Sequence, residues 1–247
     1  MLKDIRYLVF DLDGTLLTRD KHISERTLKA VEAARSKGIR ILLDTGRTCD
    51  TAGEYLRQLQ PDAAVLSYGA HITRGGETVF RRYMSPKTAN RVRVLCEQAT
   101  RIHYQLEDGR VLCNEEYIHS ELVDRNAEIT KRAEHLCAWN LPRETALEIP
   151  KRVRCSLSQL CDSLWCNFSP YGCNKGRGLE IALRELGLPE GAGIGFGDES
   201  CDVGFMKVCG FGAAMGNSDE FTLRAADMTI GNNREDGIAV FLEDHIL

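Results

Sequence analysis

The chain has 247 residues and a formal net charge of −4 at pH 7, enough length for one large domain or two ordinary ones around a substantial core. Its acidic balance argues against a general nucleic-acid or membrane-surface binder, and no apolar stretch approaches the roughly 18 residues a membrane span needs. Residues 1–6 carry no secretory apolar region, so the expected location is cytoplasmic, with no nucleic-acid and no membrane partner.

The apolar run Tyr7-Leu8-Val9-Phe10 reads as a buried strand that breaks into Asp11-Leu12-Asp13-Gly14-Thr15. Two carboxylates at a strand tip repel each other and resist desolvation, a conflict relieved by a bound cation or a shared proton. Oxygen ligands on a short turn suit Mg²⁺, which takes one or two protein carboxylates plus a phosphate oxygen. Ser24 then caps a helix running to about residue 37, with Leu28, Val31, Ala34 and Arg35 on its inner face and Gly38 as its stop. A strand over residues 39–43 ends in Asp44-Thr45-Gly46-Arg47. A helix over 49–58, stopped by Pro61, and a strand over 63–66 continue a β-α-β-α-β alternation. That alternation marks a parallel sheet covered by helices.

The character changes near Gly75-Gly76. Residues 77–172 are more polar and carry basic clusters such as Arg81-Arg82 and Arg152 with Arg154. Strands are expected over 78–83, 103–107 and 164–168, and helices over 87–101 and 122–137. This segment reads as an α+β domain inserted into an α/β domain made of residues 1–76 and 173–247. From Lys175 the alternation resumes: a helix over 176–186 ended by Gly187, then a strand over 193–196 ending in Gly197-Asp198-Glu199-Ser200-Cys201-Asp202. A strand over 211–215, a helix capped by Ser218, a strand over 228–230 and a helix from about residue 236 close the chain. The ten cysteines are scattered without a C-x-x-C pair. The densest group, Cys155, Cys161, Cys166 and Cys173, does not have the spacing of a zinc ribbon or finger, so reduced, buried thiols are expected.

In an open α/β sheet, ligands bind beyond the carboxyl ends of the strands. Three strand tips, Asp11/Asp13, Thr45-Gly46 and Asp198/Asp202, point there together with Lys175 at a helix start, where the helix dipole favours an anion. Four carboxylates, a hydroxyl beside glycine and one lysine make a site for a divalent metal plus a phosphoryl group. Phosphoryl transfer is mostly positioning and charge neutralisation.

Asp11-Leu12-Asp13-Gly14-Thr15, Thr45-Gly46-Arg47, Asn174-Lys175-Gly176 and Gly197-Asp198-x-x-x-Asp202, in that order, resemble the four motifs of the haloacid dehalogenase superfamily of phosphatases. The tail Ala214-Met215-Gly216-Asn217-Ser218, followed by Ala225-Ala226-Asp227, is similar to its Cof-type branch. The resemblance implies a Rossmann-like core with Asp11 as nucleophile and Asp13 as general acid/base. It further implies Mg²⁺ held by Asp11, the Asp13 carbonyl and Asp198, with Asp202 and Glu199 in support, and phosphate bound by Leu12, Thr45, Gly46 and Lys175. Only one helix and one strand fit between Asp13 and Thr45, so the long segment before Lys175 is the cap, as in Cof-type relatives.

Two positions depart from the family pattern. Tyr68 and Cys201 stand where relatives usually carry asparagine, and the second often touches phosphate; cysteine hydrogen-bonds weakly. The expected function is Mg²⁺-dependent hydrolysis of a small phosphorylated metabolite, a sugar phosphate first, through an aspartyl-phosphate. A phosphomutase and a catalytically silent phosphate-binding protein are the alternatives. A signalling receiver domain, about half this length, would not need Asp198 and Asp202. Arg47 reads equally as a substrate ligand and as an ion pair at a helix start. Arg81 and Arg82 are candidate substrate contacts from the inserted domain, and His103, Tyr104, His119 and Trp165 are candidate pocket liners, with core or surface positions favoured.

Overall fold

The computed structural model describes residues 4–116, 120–160 and 165–247; His119, Cys161 and Leu164 lie outside the described residues. The chain divides into two compact units, Arg81–Asn174 being inserted between residues up to Phe80 and those from Lys175 onward. In chain order the elements begin with β1 (Tyr7–Phe10), α1 (Glu25–Ser36), β2 (Arg40–Asp44), α2 (Cys49–Leu59), β3 (Ala63–Leu66), β4 (His71–Arg74) and β5 (Glu77–Arg81). The inserted unit follows with α3 (Pro86–Leu95), β6 (Arg101–Leu106), β7 (Val111–Cys113), β8 (Glu121–Leu122), β9 (Ala133–Trp139), α4 (Arg143–Arg152), β10 (Cys155–Leu160) and β11 (Trp165–Pro170). The chain ends with α5 (Lys175–Leu186), β12 (Gly193–Gly197), α6 (Val203–Cys209), β13 (Gly210–Ala214), α7 (Glu220–Ala225), β14 (Met228–Thr229) and α8 (Gly237–His245).

The first unit is an α/β domain built on an eight-stranded sheet of order β14-β13-β12-β1-β2-β3-β4-β5. Its six strands from β14 to β3 run parallel, and β4 turns back antiparallel to β3. Alternate side chains of a strand face opposite sides, and β1 shows both. Leu8 and Phe10 pack with Val31, Phe241 and Leu242 of α1 and α8, whereas Tyr7 and Val9 pack with Leu179, Leu183 and Phe205 of α5 and α6. A central parallel strand buried on both faces has to be apolar throughout, as Tyr7-Leu8-Val9-Phe10 is.

Local chemistry sets the helix starts. Ser24 accepts from the Thr27 N–H, and Thr48 and Thr51 form a capping box at α2. The cap of α7 is Asp219, which accepts from the Thr222 N–H, in place of the expected Ser218. The strand expected over 78–83 runs Glu77–Arg81 and forms the edge of the core sheet, so residues 77–80, read as part of the inserted segment, belong with the first unit. It hangs on β4, an unexpected strand, through the left-handed glycines Gly75 (φ 56°) and Gly76 (φ 87°).

The inserted unit is α+β. Its six-stranded sheet has the order β10-β11-β9-β6-β7-β8 and is antiparallel except for the β7/β8 pair. One face, carrying Ile102, Tyr104, Leu136, Ala138 and Phe168, packs with Ala89, Val92, Ala146 and Ile149 of α3 and α4. The helix expected over 87–101 ends at Leu95, because alternation from Arg101 to Leu106 feeds that apolar face. The helix expected over 122–137 is absent. Residues 133–139 are helix formers by propensity, yet they form β9 between β6 and β11, where sheet pairing and burial outweigh propensity. Helix α4, which the sequence reading does not expect, follows Pro142 and carries Pro150 in its last turn.

Candidate active site

The parallel register lines up Phe10 with Leu43 of β2 and with Phe196 of β12, so the residues that follow emerge at one edge of the sheet. Asp11 continues β1 by one hydrogen bond, its N–H donating to the Phe196 carbonyl at 3.0 Å. Lys175 opens α5 and is buried between two carboxylates, its Nζ 2.7 Å from Asp11 Oδ1 and 2.5 Å from Asp202 Oδ1. The second oxygen of Asp202 accepts from the backbone N–H groups of Asp198 (2.9 Å) and Glu199 (3.0 Å). Asp198 Oδ1 accepts from the Thr15 hydroxyl at 2.7 Å.

Asp11, Asp198 and Asp202 each bring a carboxylate oxygen within 4.8 Å of the others. Burial pushes the Asp11 carboxyl well above its ordinary value; Lys175 opposes this, while Asp202 and Asp198 add to it. Burial, followed by the charge of Asp202, pushes Asp198 up to about 7. Burial disfavours the Lys175 ammonium, but Asp11 and Asp202 outweigh it and hold the proton on. Three buried carboxylates facing one ammonium leave an excess of negative charge in low dielectric, and an all-oxygen donor set of that kind fits a hard divalent cation. Gly14 makes the approach possible. Its φ is +84°, and a Cβ there would lie 2.1 Å from Asp198 Oδ2.

Asp13 points elsewhere and is half-exposed. Arg47 grips it with Nε 2.5 Å from Oδ2 and Nη2 2.8 Å from Oδ1, and Lys21 Nζ is 2.6 Å from Oδ1. Burial raises its pKa, but the hydrogen bonds and charges of Arg47 and Lys21 prevail and hold the carboxyl at about 2. Arg47, just ahead of the α2 N-cap, is thus held in an ion pair whose carboxylate comes from the β1 turn, and its Nη1 also donates to the Thr51 carbonyl in the first turn of α2 at 3.0 Å.

Thr45 is buried, its N–H bonded to the Val65 carbonyl and its Oγ1 accepting from the Arg47 N–H. Gly46 lies under the Tyr68 ring, and a Cβ there would come within 2.3 Å of the ring's Cζ. Ser67 and Tyr68 hold left-handed backbones at φ 50° and 53°, a costly conformation for side chains of that size. The Leu12 side chain is in the core, leaving its backbone to the turn. Glu199 precedes α6 without capping it, since Asp202 occupies the N-cap.

A family profile described as haloacid dehalogenase-like hydrolase matches residues 8–149 and 162–242. The chain belongs to the haloacid dehalogenase-like hydrolases. Within them it falls in the Cof-type branch of phosphoric monoester hydrolases. It is 27% identical over 268 residues to the 5-amino-6-(5-phospho-D-ribitylamino)uracil phosphatase YitU of Bacillus subtilis, covering 97% of each chain. It is 25% identical to the pyridoxal phosphate phosphatase YbhA of Escherichia coli, covering 98% of this chain and 99% of that one. Among solved structures, a subclass IIB sugar phosphatase of the superfamily superposes with a TM-score of 0.84 at 21% identity, covering 97% of this chain and 98% of that one. That likeness carries the fold.

Three residues of this hydrolase's site, Thr15, Lys21 and Asp44, are given no role by the sequence. Only the fold brings Thr15 to Asp198 and Lys21 to Asp13. Asp44 sits fully buried at the end of β2 with neither carboxylate oxygen hydrogen-bonded. Cys201, singled out as a replacement for asparagine, donates its thiol to Asp202 Oδ1 at 3.5 Å. In the inserted unit, Arg81 pairs with buried Glu134 (2.8 Å) and Arg82 donates to the Tyr171 carbonyl (3.0 Å). Tyr104 lies in the core, and Trp165 stacks on Trp139. Among the described residues no helix is long and apolar enough to cross a membrane.

Proposed function

We propose that this phosphatase hydrolyses the monoester of a small phosphorylated metabolite, a sugar phosphate first among candidates, through an aspartyl-phosphate on Asp11. The observation that carries the reading is the buried Lys175 bridging Asp11 and Asp202 beside Asp198. An ammonium has three N–H donors, and two are engaged by carboxylates. The third is left for a phosphoryl oxygen, which the Thr45 hydroxyl and the backbone N–H groups of Gly46 and Leu12 hold on other sides.

Asp11 Oδ attacks phosphorus in line, the bond from phosphorus to the ester oxygen breaks, and Asp13 delivers a proton to the departing alkoxide. Asp13 then takes a proton from water as that water attacks phosphorus, releasing inorganic phosphate and restoring the Asp11 carboxylate. In its pair with Arg47 and Lys21, Asp13 is the base form needed for the second step. Donation in the first step requires that it leave those partners and take up a proton. Mg²⁺, held by Asp11, the Asp13 carbonyl and Asp198 with Asp202 and Glu199 in support, would supply charge neutralisation between carboxylate and phosphate. The inserted segment, residues 77–172 on the sequence reading, is proposed as the cap domain that sets substrate choice.

The test is phosphate release from p-nitrophenyl phosphate, a panel of sugar phosphates, pyridoxal phosphate and 5-amino-6-(5-phospho-D-ribitylamino)uracil, with Mg²⁺ or EDTA. Turnover that needs Mg²⁺ and is lost in Asp11→Asn is expected. Metal-independent turnover, or an Asp11→Asn variant as active as wild type, overturns the reading.

A further inference from the structure

The six-stranded sheet of the inserted unit has one apolar face packed on helices, and its other face carries an unexpected cluster. Strands β6 and β9 pair with His103 opposite Cys137 and Gln105 opposite His135. Residues opposite one another, and residues two apart along a strand, share a face. His103, His135 and Cys137 therefore stand together, on the side away from Tyr104, Leu136 and Ala138. One ring nitrogen of each histidine and the Cys137 sulfur lie within 4.8 Å of one another. The two imidazoles meet edge to face with centroids 5.5 Å apart.

Two further observations point to a ligand. His135 is 5% exposed, and its Nδ1 is buried without a hydrogen-bond partner, a costly state for an imidazole nitrogen. Asn167, on neighbouring β11 directly opposite Cys137, donates its amide N–H to the Cys137 sulfur at 2.9 Å. The orientation of that amide is fixed, because its oxygen accepts from the hydroxyls of Ser158 (2.9 Å) and Ser169 (3.3 Å). A donor aimed at sulfur from a fixed amide favours the thiolate, as outer partners of metal-bound cysteines do.

We propose that His103, His135 and Cys137 form a zinc site within the inserted unit. Two imidazoles and one thiolate are a borderline-soft set that matches Zn²⁺, whereas Mg²⁺ prefers an all-oxygen set. Three protein ligands leave the fourth tetrahedral position to water or another small ligand. Binding replaces the thiol proton of Cys137, which passes to solvent, by the metal. No sequence motif announces the site, because the ligands come from two strands joined only by their register.

The test uses the full chain stripped with chelator and titrated with Co²⁺ in the presence of excess Mg²⁺. The expected result is a thiolate-to-cobalt charge-transfer absorption that saturates at one ion per chain and disappears when Zn²⁺ is added. Asp11→Asn keeps the band and Cys137→Ser loses it. Asn167→Ala, which removes only the donor to sulfur, weakens cobalt binding about 10–100-fold. His103→Gln, at a half-buried position that keeps the fold safe, weakens it beyond that range. A wild-type protein without the band, or a band undiminished in either Cys137→Ser or His103→Gln, overturns the proposal.

Discussion

Arg47 holds Asp13 with two parallel N–H···O bonds, of 2.5 and 2.8 Å, across 34 residues of sequence. The carboxyl sits at about 2, below its ordinary value of 3.8. A carboxyl depressed in the folded state stabilises the fold at pH values above its unfolded value, and that contribution is lost as pH falls through the folded value. Arg47→Met should therefore melt below wild type at pH 6, with the difference shrinking as pH falls from about 4 towards 2. Thermal melts of both proteins across that range check this; a constant difference argues that Arg47 stabilises by packing alone.

Asp198 has the opposite character. Raised to about 7 by burial and by Asp202, it holds a proton that a metal must displace, so apparent Mg²⁺ affinity should fall about tenfold per pH unit below 7. A ligand that binds only the folded state raises its melting temperature. Mg²⁺ should accordingly raise the melting temperature more at pH 8 than at pH 6. An equal or larger rise at pH 6 contradicts the assignment of Asp198 to the metal.

The grouping of these residues is largely legible in the sequence, because each sits at a strand tip or helix start in a known order. Asp11, Asp198 and Lys175 follow from apolar runs that end in acidic turns and from a helix signal after residue 174. Their partners are not legible. Thr15 reaches Asp198, and Arg47 reaches Asp13, only through loops whose path the fold decides. In the inserted unit the helical propensity of residues 133–139 misleads, since their partners across the sheet are remote in sequence. The zinc ligands His103 and Cys137 are hidden for the same reason. The glycine pair Gly75-Gly76 reads as a domain boundary in the sequence, whereas in the structure it is the turn that joins β4 to the edge strand β5.

Asp44 offers a stability test. Fully buried with both oxygens unpartnered, its carboxyl is pushed well above the ordinary value, first by burial. Removing an unsatisfied buried polar group while keeping volume gains about 1–3 kcal/mol. Asp44→Leu should be more stable than wild type in chemical denaturation by about that amount. The gain should grow as pH rises above the ordinary value of 3.8, because the folded protein resists ionising Asp44 while the unfolded chain does not. A destabilised variant at every pH would show that Asp44 is needed beside Lys175.

Gly14 combines a φ of +84° with an Asp198 oxygen where a Cβ would stand. Gly14→Ala should cost more than about 1 kcal/mol of stability and should raise the Mg²⁺ concentration needed for turnover by displacing Asp198. Denaturation curves and a Mg²⁺ titration of phosphatase activity measure the two effects, and a variant matching wild type in both removes the tight-turn argument.

The division of labour between Asp11 and Asp13 is tested most directly by intact-protein mass after a rapid acid quench. Asp13→Asn mixed with p-nitrophenyl phosphate and Mg²⁺ should carry one added phosphoryl group, since its leaving group needs no proton and the trapped ester lacks the base that hydrolyses it. The double variant Asp11→Asn/Asp13→Asn should carry none. A phosphorylated double variant, or an Asp13→Asn protein that turns over freely with no trapped ester, would contradict Asp11 as nucleophile and Asp13 as base.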